Sequence, residues 1–168
     1  MRRPSDWGRY HPAEIRRGAR MSKTVLGFDF GTKRIGVAAG QDLTGTAQGI
    51  ATITNSGSYG PWPAIEQLIK EWRPNALVVG LPHTQDSGET DLARSARAFG
   101  TKLEQRFDLP IHFIDETLTS RAAETLVSQA TPAGKRMAGK RQGLRDQIAA
   151  ELILCTYFNE QDRKTNVA

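Results

Sequence analysis

Ala76-Leu-Val-Val-Gly80 is an unbroken apolar run of strand length set between two helix-patterned stretches. A strand of that kind is buried on both faces, inside a sheet covered by helices on both sides. Upstream, Ile65, Leu68, Ile69 and Trp72 repeat at i, i+3, i+4 and i+7 behind Pro63, with Pro74 past the end. Downstream, Leu92, Ala96, Phe99 and Leu103 form a second apolar stripe, and Ile111 to Asp115 reads as another strand. Strand, helix and strand in short succession require a right-handed parallel crossover. Before this unit, Thr24 to Phe30 reads as a strand with Val25, Gly27 and Asp29 on one face and Leu26, Phe28 and Phe30 on the other. Residues 34–40 and about 45–53 follow as strands near enough to pair as an antiparallel meander. A third helix is predicted from Thr119 or Ser120, and a last one from about Leu144 to Phe158. The order βββαβαβαα, without repeats, predicts one α/β domain.

Composition agrees with that architecture. The chain has 168 residues, 38% of them apolar and 24% charged, in the range of an ordinary globular domain. A domain of this size buries about 70% of its unfolded surface and needs no disulfide or structural metal. Cys155 is the single cysteine, so a cysteine-rich zinc cluster is excluded; among Leu152, Ile153 and Leu154 it reads as core. No apolar run approaches the ~20 residues that span a bilayer, and the expected location is cytoplasmic. The net charge of +5 is unevenly placed: residues 1–20 carry +4, leaving +1 for the rest. Residues 1–22 are read as a basic extension outside the fold, either sequence upstream of a start at Met21 or an arm that contacts phosphates. Residues 23–160 are the expected domain, and 161–168 a polar tail.

The chemistry lies in the acids. In the last helix Asp146, Ala149, Ala150, Ile153 and Tyr157 share one stripe, which places a carboxylate on the inward face. A buried, unpaired carboxylate costs several kcal/mol and needs a cation, a donor or a metal. The simpler alternative is an acid in a first helical turn complementing the dipole. Asp29 ends the first strand and Asp115-Glu116 end the fifth, and parallel strands bring their C-terminal ends to the edge where α/β sheets bind ligands. Clustered carboxylates repel unless divalent cations neutralise them, and oxygen donors without histidine or cysteine favour Mg²⁺ or Mn²⁺ over zinc. Strand alternation turns Asp115 away from the face that Glu116 would share with Asp29. Lys33 and Arg34 follow Asp29, and Ser128 to Gly143 reads as a flexible basic loop with Lys135, Arg136, Lys140 and Arg141. These six cations are the candidate phosphate contacts, giving affinity with little sequence reading.

Four ordered segments together resemble the YqgF/RuvX family. They are Gly27-Phe-Asp29-Phe-Gly31-Thr-Lys33-Arg34-Ile-Gly36-Val-Ala38, Val78-Val-Gly80-Leu-Pro82, Asp115-Glu116-Thr-Leu-Thr119 and Arg145-Asp146-Gln-Ile-Ala149-Ala150. The resemblance covers about residues 23–158. It implies a ribonuclease H-like three-layer fold with a five-stranded mixed sheet flanked by helices. It also implies a nuclease proposed to mature the 5′ end of pre-16S rRNA, in a family first considered Holliday junction resolvases. The acids matching Asp29, Glu116 and Asp146 are that family's proposed catalytic and metal-binding set. Thr117 departs from the pattern, where an arginine is frequent. The looser stretch from Pro82 to Glu89 carries His83, which reads as a surface histidine without a catalytic role.

The mechanism this predicts is hydrolysis by metal-activated water, with two ions about 3.5–4 Å apart, Asp29 bridging them and Glu116 and Asp146 each completing one sphere. The expected partner is nucleic acid, RNA before DNA, as pre-16S rRNA or the assembling small ribosomal subunit. Two rivals share some of these features. Asp29-Phe-Gly-Thr-Lys33 also looks like the phosphate loop of actin-like ATPases and sugar kinases, which close two such domains on a nucleotide. A catalytically idle nucleic-acid-binding scaffold would need no clustered carboxylates.

Overall fold

The computed structural model describes residues 21–82, 88–115 and 138–167. Five strands form one sheet: β1 Thr24–Phe30, β2 Arg34–Gln41, β3 Thr46–Thr54, β4 Ala76–Leu81 and β5 Ile111–Asp115. Their order is β3-β2-β1-β4-β5, so β4 separates β1 from β5. β1, β2 and β3 are antiparallel neighbours, whereas β4 runs parallel to both β1 and β5. The helices are α1 Trp62–Trp72, α2 Asp91–Phe107 and α3 Ala138–Val167.

Strand alternation divides the core into two layers. Leu26, Phe28, Ile35, Val37, Leu77 and Val79 point to one face and pack against Ile65 of α1 and Ala96, Phe99 and Leu103 of α2. Val25, Ala38, Val78 and Ile114 point to the other and meet Ala150, Ile153, Leu154, Tyr157 and Phe158 of α3. Local signals set the helix ends. Pro63 lies in the first turn of α1, and the Thr90 hydroxyl caps α2 by accepting from the Ala93 amide at 3.1 Å.

The last helix corrects two expectations. It begins at Ala138, so residues 138–143 are helical where a flexible basic loop was expected, and Lys140 and Arg141 fall in its first turn. Ala138, Lys140, Arg141, Gln142 and Leu144 are strong helix formers, and the glycines among them cost only about 1 kcal/mol each. The Thr52 hydroxyl also ties this turn to the sheet, donating to the Gly143 carbonyl at 2.9 Å. At the other end α3 runs to Val167, past the end expected near Phe158, so residues 161–167 of the polar tail are helical. Glu160, Gln161, Arg163 and Lys164 sustain it without Gly or Pro, and Thr165 bonds back to the Gln161 carbonyl at 3.0 Å. The helix expected from Thr119 or Ser120, together with Thr117, His83 and residues 1–20, lies outside the described residues.

Candidate active site

Asp29 occupies the next-to-last position of β1 and pairs directly with Gly36 of β2. Directly opposed residues of an antiparallel pair share a face, with Cβ positions about 4.5–5.5 Å apart. The face is that of α3, because Gly36 is pressed against the Asp146 backbone: a Cβ on Gly36 would overlap the Asp146 carbonyl and Cα. Asp29 and Asp146, distant in sequence, are thus brought together across one glycine. On the other side of β1, Gly80 follows Val79, the partner of Phe28, and so stands next to Asp29 without a side chain.

Glycines set the height of α3 above the sheet. A Cβ on Gly27 would strike Leu154 and the Ala150 carbonyl, and one on Gly40 would strike the Phe158 ring. The expected stripe is therefore corrected in one position. Ala150 faces the sheet, but Ala149 clusters with Ile148, Leu144 and Leu152 on another side of the helix. Close approach comes from the glycines of the sheet, which sequence reading did not single out, although glycine inside a strand is a signal of close backbone approach.

The Asp146 carboxylate is 13% exposed and engaged at both oxygens. Arg34 Nε donates to Oδ2 at 3.1 Å, and Gln142 Nε2 donates to Oδ1 at 3.3 Å. Arg34, expected as a phosphate contact, is here the partner of an acid. Lys33 is exposed in the β1–β2 turn, which Asn55 braces: its side-chain amide donates to the Gly31 carbonyl and its backbone amide to the Lys33 carbonyl, both at 2.8 Å. Neither Gln142 nor Asn55 was singled out from sequence, although Gln142 lies one turn before Asp146, where an amide can reach a carboxylate.

Asp115 is exposed on the opposite face, lining a cavity of about 690 Å³ with Leu81, Pro82, Glu89, Arg97 and Phe113. Glu116, Lys135 and Arg136 lie outside the described residues. Among the described residues no group of three His, Cys, Asp or Glu side chains forms a metal cluster; the β1–β2 register and the seat of α3 on Gly36 make Asp29 and Asp146 neighbours. Carboxylate and amide oxygens are hard donors and fit a hard divalent cation, and among the described residues those around Asp146 supply no imidazole or thiolate for zinc. His112 lies at the far end of the sheet, where burial, and then Lys164, hold its pKa below the usual 6.5. Cys155 is half-buried on α3, and burial raises its thiol pKa, as befits a packing residue. No described helix is long and apolar enough to cross a membrane.

Comparison with known proteins agrees with this arrangement. A protein of Actinobacillus pleuropneumoniae serotype 5b (strain L20), named "Putative pre-16S rRNA nuclease", is 43% identical over 141 residues, which span 84% of this chain and all of the relative. A Neisseria gonorrhoeae protein of the same name is 43% identical over 131 residues, covering 78% of this chain and 84% of its own. Among solved structures, the fowlpox virus resolvase bound to Holliday junction DNA aligns with a TM-score of 0.52 at 12% identity, over 82% of this chain and 98% of that one. At that identity the likeness concerns the fold, which is ribonuclease H-like. The family model described as "RuvX: Holliday junction resolvase" matches residues 23–160, the stretch that holds Asp29, Gly36 and Asp146, and with these relatives it makes the chain a member of the RuvX family.

Proposed function

We propose that this chain is a divalent-metal-dependent nuclease that hydrolyses phosphodiester bonds and processes the 5′ end of pre-16S rRNA during ribosome assembly in the cytoplasm. The observation that carries the reading is the convergence of Asp29 and Asp146 across Gly36 at the edge of the sheet where β1 and β4 end. Folding two carboxylates together is costly, and a protein gains from it when a cation is to be bound there. Family membership and the name its relatives carry support nuclease chemistry and an RNA substrate.

In this reading Asp29, Glu116 and Asp146 hold Mg²⁺ or Mn²⁺. Of the described end of β5, Ile114 packs toward α3 and Asp115 is exposed on the other face; Glu116 joins the set on the family resemblance. Bound there, the metal would supply the positive charge that activates water and stabilises the leaving oxygen. The protein's part is to fix the carboxylates, which Gly36 does for Asp146 by packing and the β1–β2 register does for Asp29. Lys33, exposed at this edge, would hold a substrate phosphate, joined by Lys135, Arg136, Lys140 and Arg141 from the segment entering α3.

Holliday junction resolution is the second reading, favoured by the description of the family model. One experiment separates the two. The protein is incubated with RNA extended at the small-subunit rRNA 5′ end, and with a four-way DNA junction, in Mg²⁺, Mn²⁺ or chelator. Cleavage of the RNA in metal alone is the expected result. Cleavage of the junction alone would transfer the function to recombination, and failure to cut either would overturn the nuclease reading.

A further inference from the structure

Arg34 and Asp146 are 112 residues apart in sequence, and their pairing sets a fixed positive charge on an oxygen that a divalent cation would need. The partners differ in freedom. Asp146 is 13% exposed and belongs to a helix seated against Gly36, whereas the Arg34 side chain is 41% exposed at the first position of β2, next to the exposed Lys33. The carboxylate is therefore the fixed member and the guanidinium the movable one. Gln142 engages the other oxygen as a neutral donor and would not repel a cation at Oδ2 as a guanidinium does.

We infer that Arg34 is an exchangeable counter-ion: it neutralises Asp146 while the metal site is empty and, when a divalent cation takes Oδ2, turns to a substrate phosphate at the same edge. This rests on the metal-nuclease reading above and adds to it a coupling between metal and substrate. A guanidinium is suited to both partners, because its planar fork bonds carboxylate and phosphate alike. Metal and nucleic acid then favour each other's binding through one side chain, and that linkage is reciprocal.

The test is a double-mutant cycle on the full chain, reading the binding of a single-stranded RNA oligonucleotide in chelator. Arg34→Gln alone should change affinity by less than about twofold, since Asp146 already occupies Arg34. Asp146→Asn should tighten binding, and up to about fivefold of that gain should disappear when Arg34→Gln is added. In a separate Mn²⁺ titration followed by electron paramagnetic resonance, Arg34→Gln should bind the ion up to about fivefold more tightly than wild type, with Arg34→Lys closer to wild type. Thermal unfolding in chelator verifies that each variant is folded. Equal RNA losses from Arg34→Gln with and without Asp146→Asn, or weaker Mn²⁺ binding in Arg34→Gln, would overturn the exchange and leave the metal reading standing. A wild-type protein that binds no Mn²⁺ would overturn both.

Discussion

The two faces of this sheet are built from alternate residues of the same strands, yet they use opposite materials. Toward α1 and α2 the strands present Leu26, Phe28, Ile35, Val37, Leu77 and Val79, all fully buried. Toward α3, β1 and β2 present Val25, Gly27, Asp29, Gly36, Ala38 and Gly40, and only Val78 and Ile114 of β4 and β5 add apolar bulk among the described residues. Large side chains on the first face remove apolar surface from water, each contributing about 1.5–3 kcal/mol. Small ones on the second contribute little burial and instead determine how near α3 can come. The lesson is a division of labour: both faces bury a core, but on the α3 side β1 and β2 give up apolar bulk to bring Asp146 beside Asp29.

That division is breakable by substitutions one residue apart. The largest effect is expected at Phe28, fully buried and packed edge-on against Phe99 with ring centroids 5.7 Å apart. Phe28→Ala should cost about 3–5 kcal/mol in urea unfolding, while cleavage per folded molecule stays near wild type. Its neighbour should behave in the reverse way. Asp29→Asn should lower metal-dependent cleavage at least about 100-fold, or about 2.7 kcal/mol, and shift the unfolding midpoint in chelator by no more than about 4 °C. If Phe28→Ala abolished cleavage in folded protein, or Asp29→Asn unfolded the domain, the two faces would not be separable.

Gly36→Ala sharpens the comparison because it should affect both properties. Its methyl would displace the backbone of α3 at Asp146, for a cost of about 1–3 kcal/mol together with weakened Mn²⁺ binding. Loss of stability with metal binding intact would mean that the seat of α3 does not position the carboxylate. The smallest effect is expected at His112, which stacks on Tyr157 at 5.1 Å, far from the site. Its folded pKa lies below 6.5, so the unfolded chain takes up the proton first as pH falls, and stability is lost below that value. His112→Gln should flatten the pH dependence of the unfolding midpoint below pH 6.5 without altering cleavage at neutral pH.

How much of this was legible in the sequence depends on whether the signal was local. β1 and β5 have the bounds read from the sequence, Thr24–Phe30 and Ile111–Asp115, because β-forming residues start just past Lys23 and Pro110. Apolar periodicity also located α1 and α2. The extent of α3 was not legible, since Gly139 and Gly143 resemble breakers until tertiary packing outweighs their cost. Nor was its rotation: a stripe through Asp146, Ala149 and Ala150 spans about 100° of the helix, and it is the glycines of β1 and β2 that select Ala150. Asp29 and Asp146 were recognisable as candidates from strand end, helix face and family resemblance. The Arg34–Asp146 pair was not, because it depends on a long-range register that no local pattern encodes.

The central claim is that Asp29 and Asp146 serve one cation. Titrating Mn²⁺ into wild type, Asp29→Asn and Asp146→Asn, followed by electron paramagnetic resonance, tests it most directly. The account predicts that each substitution weakens the same binding event, with both variants still folded in chelator. Undiminished Mn²⁺ binding in either variant would contradict it.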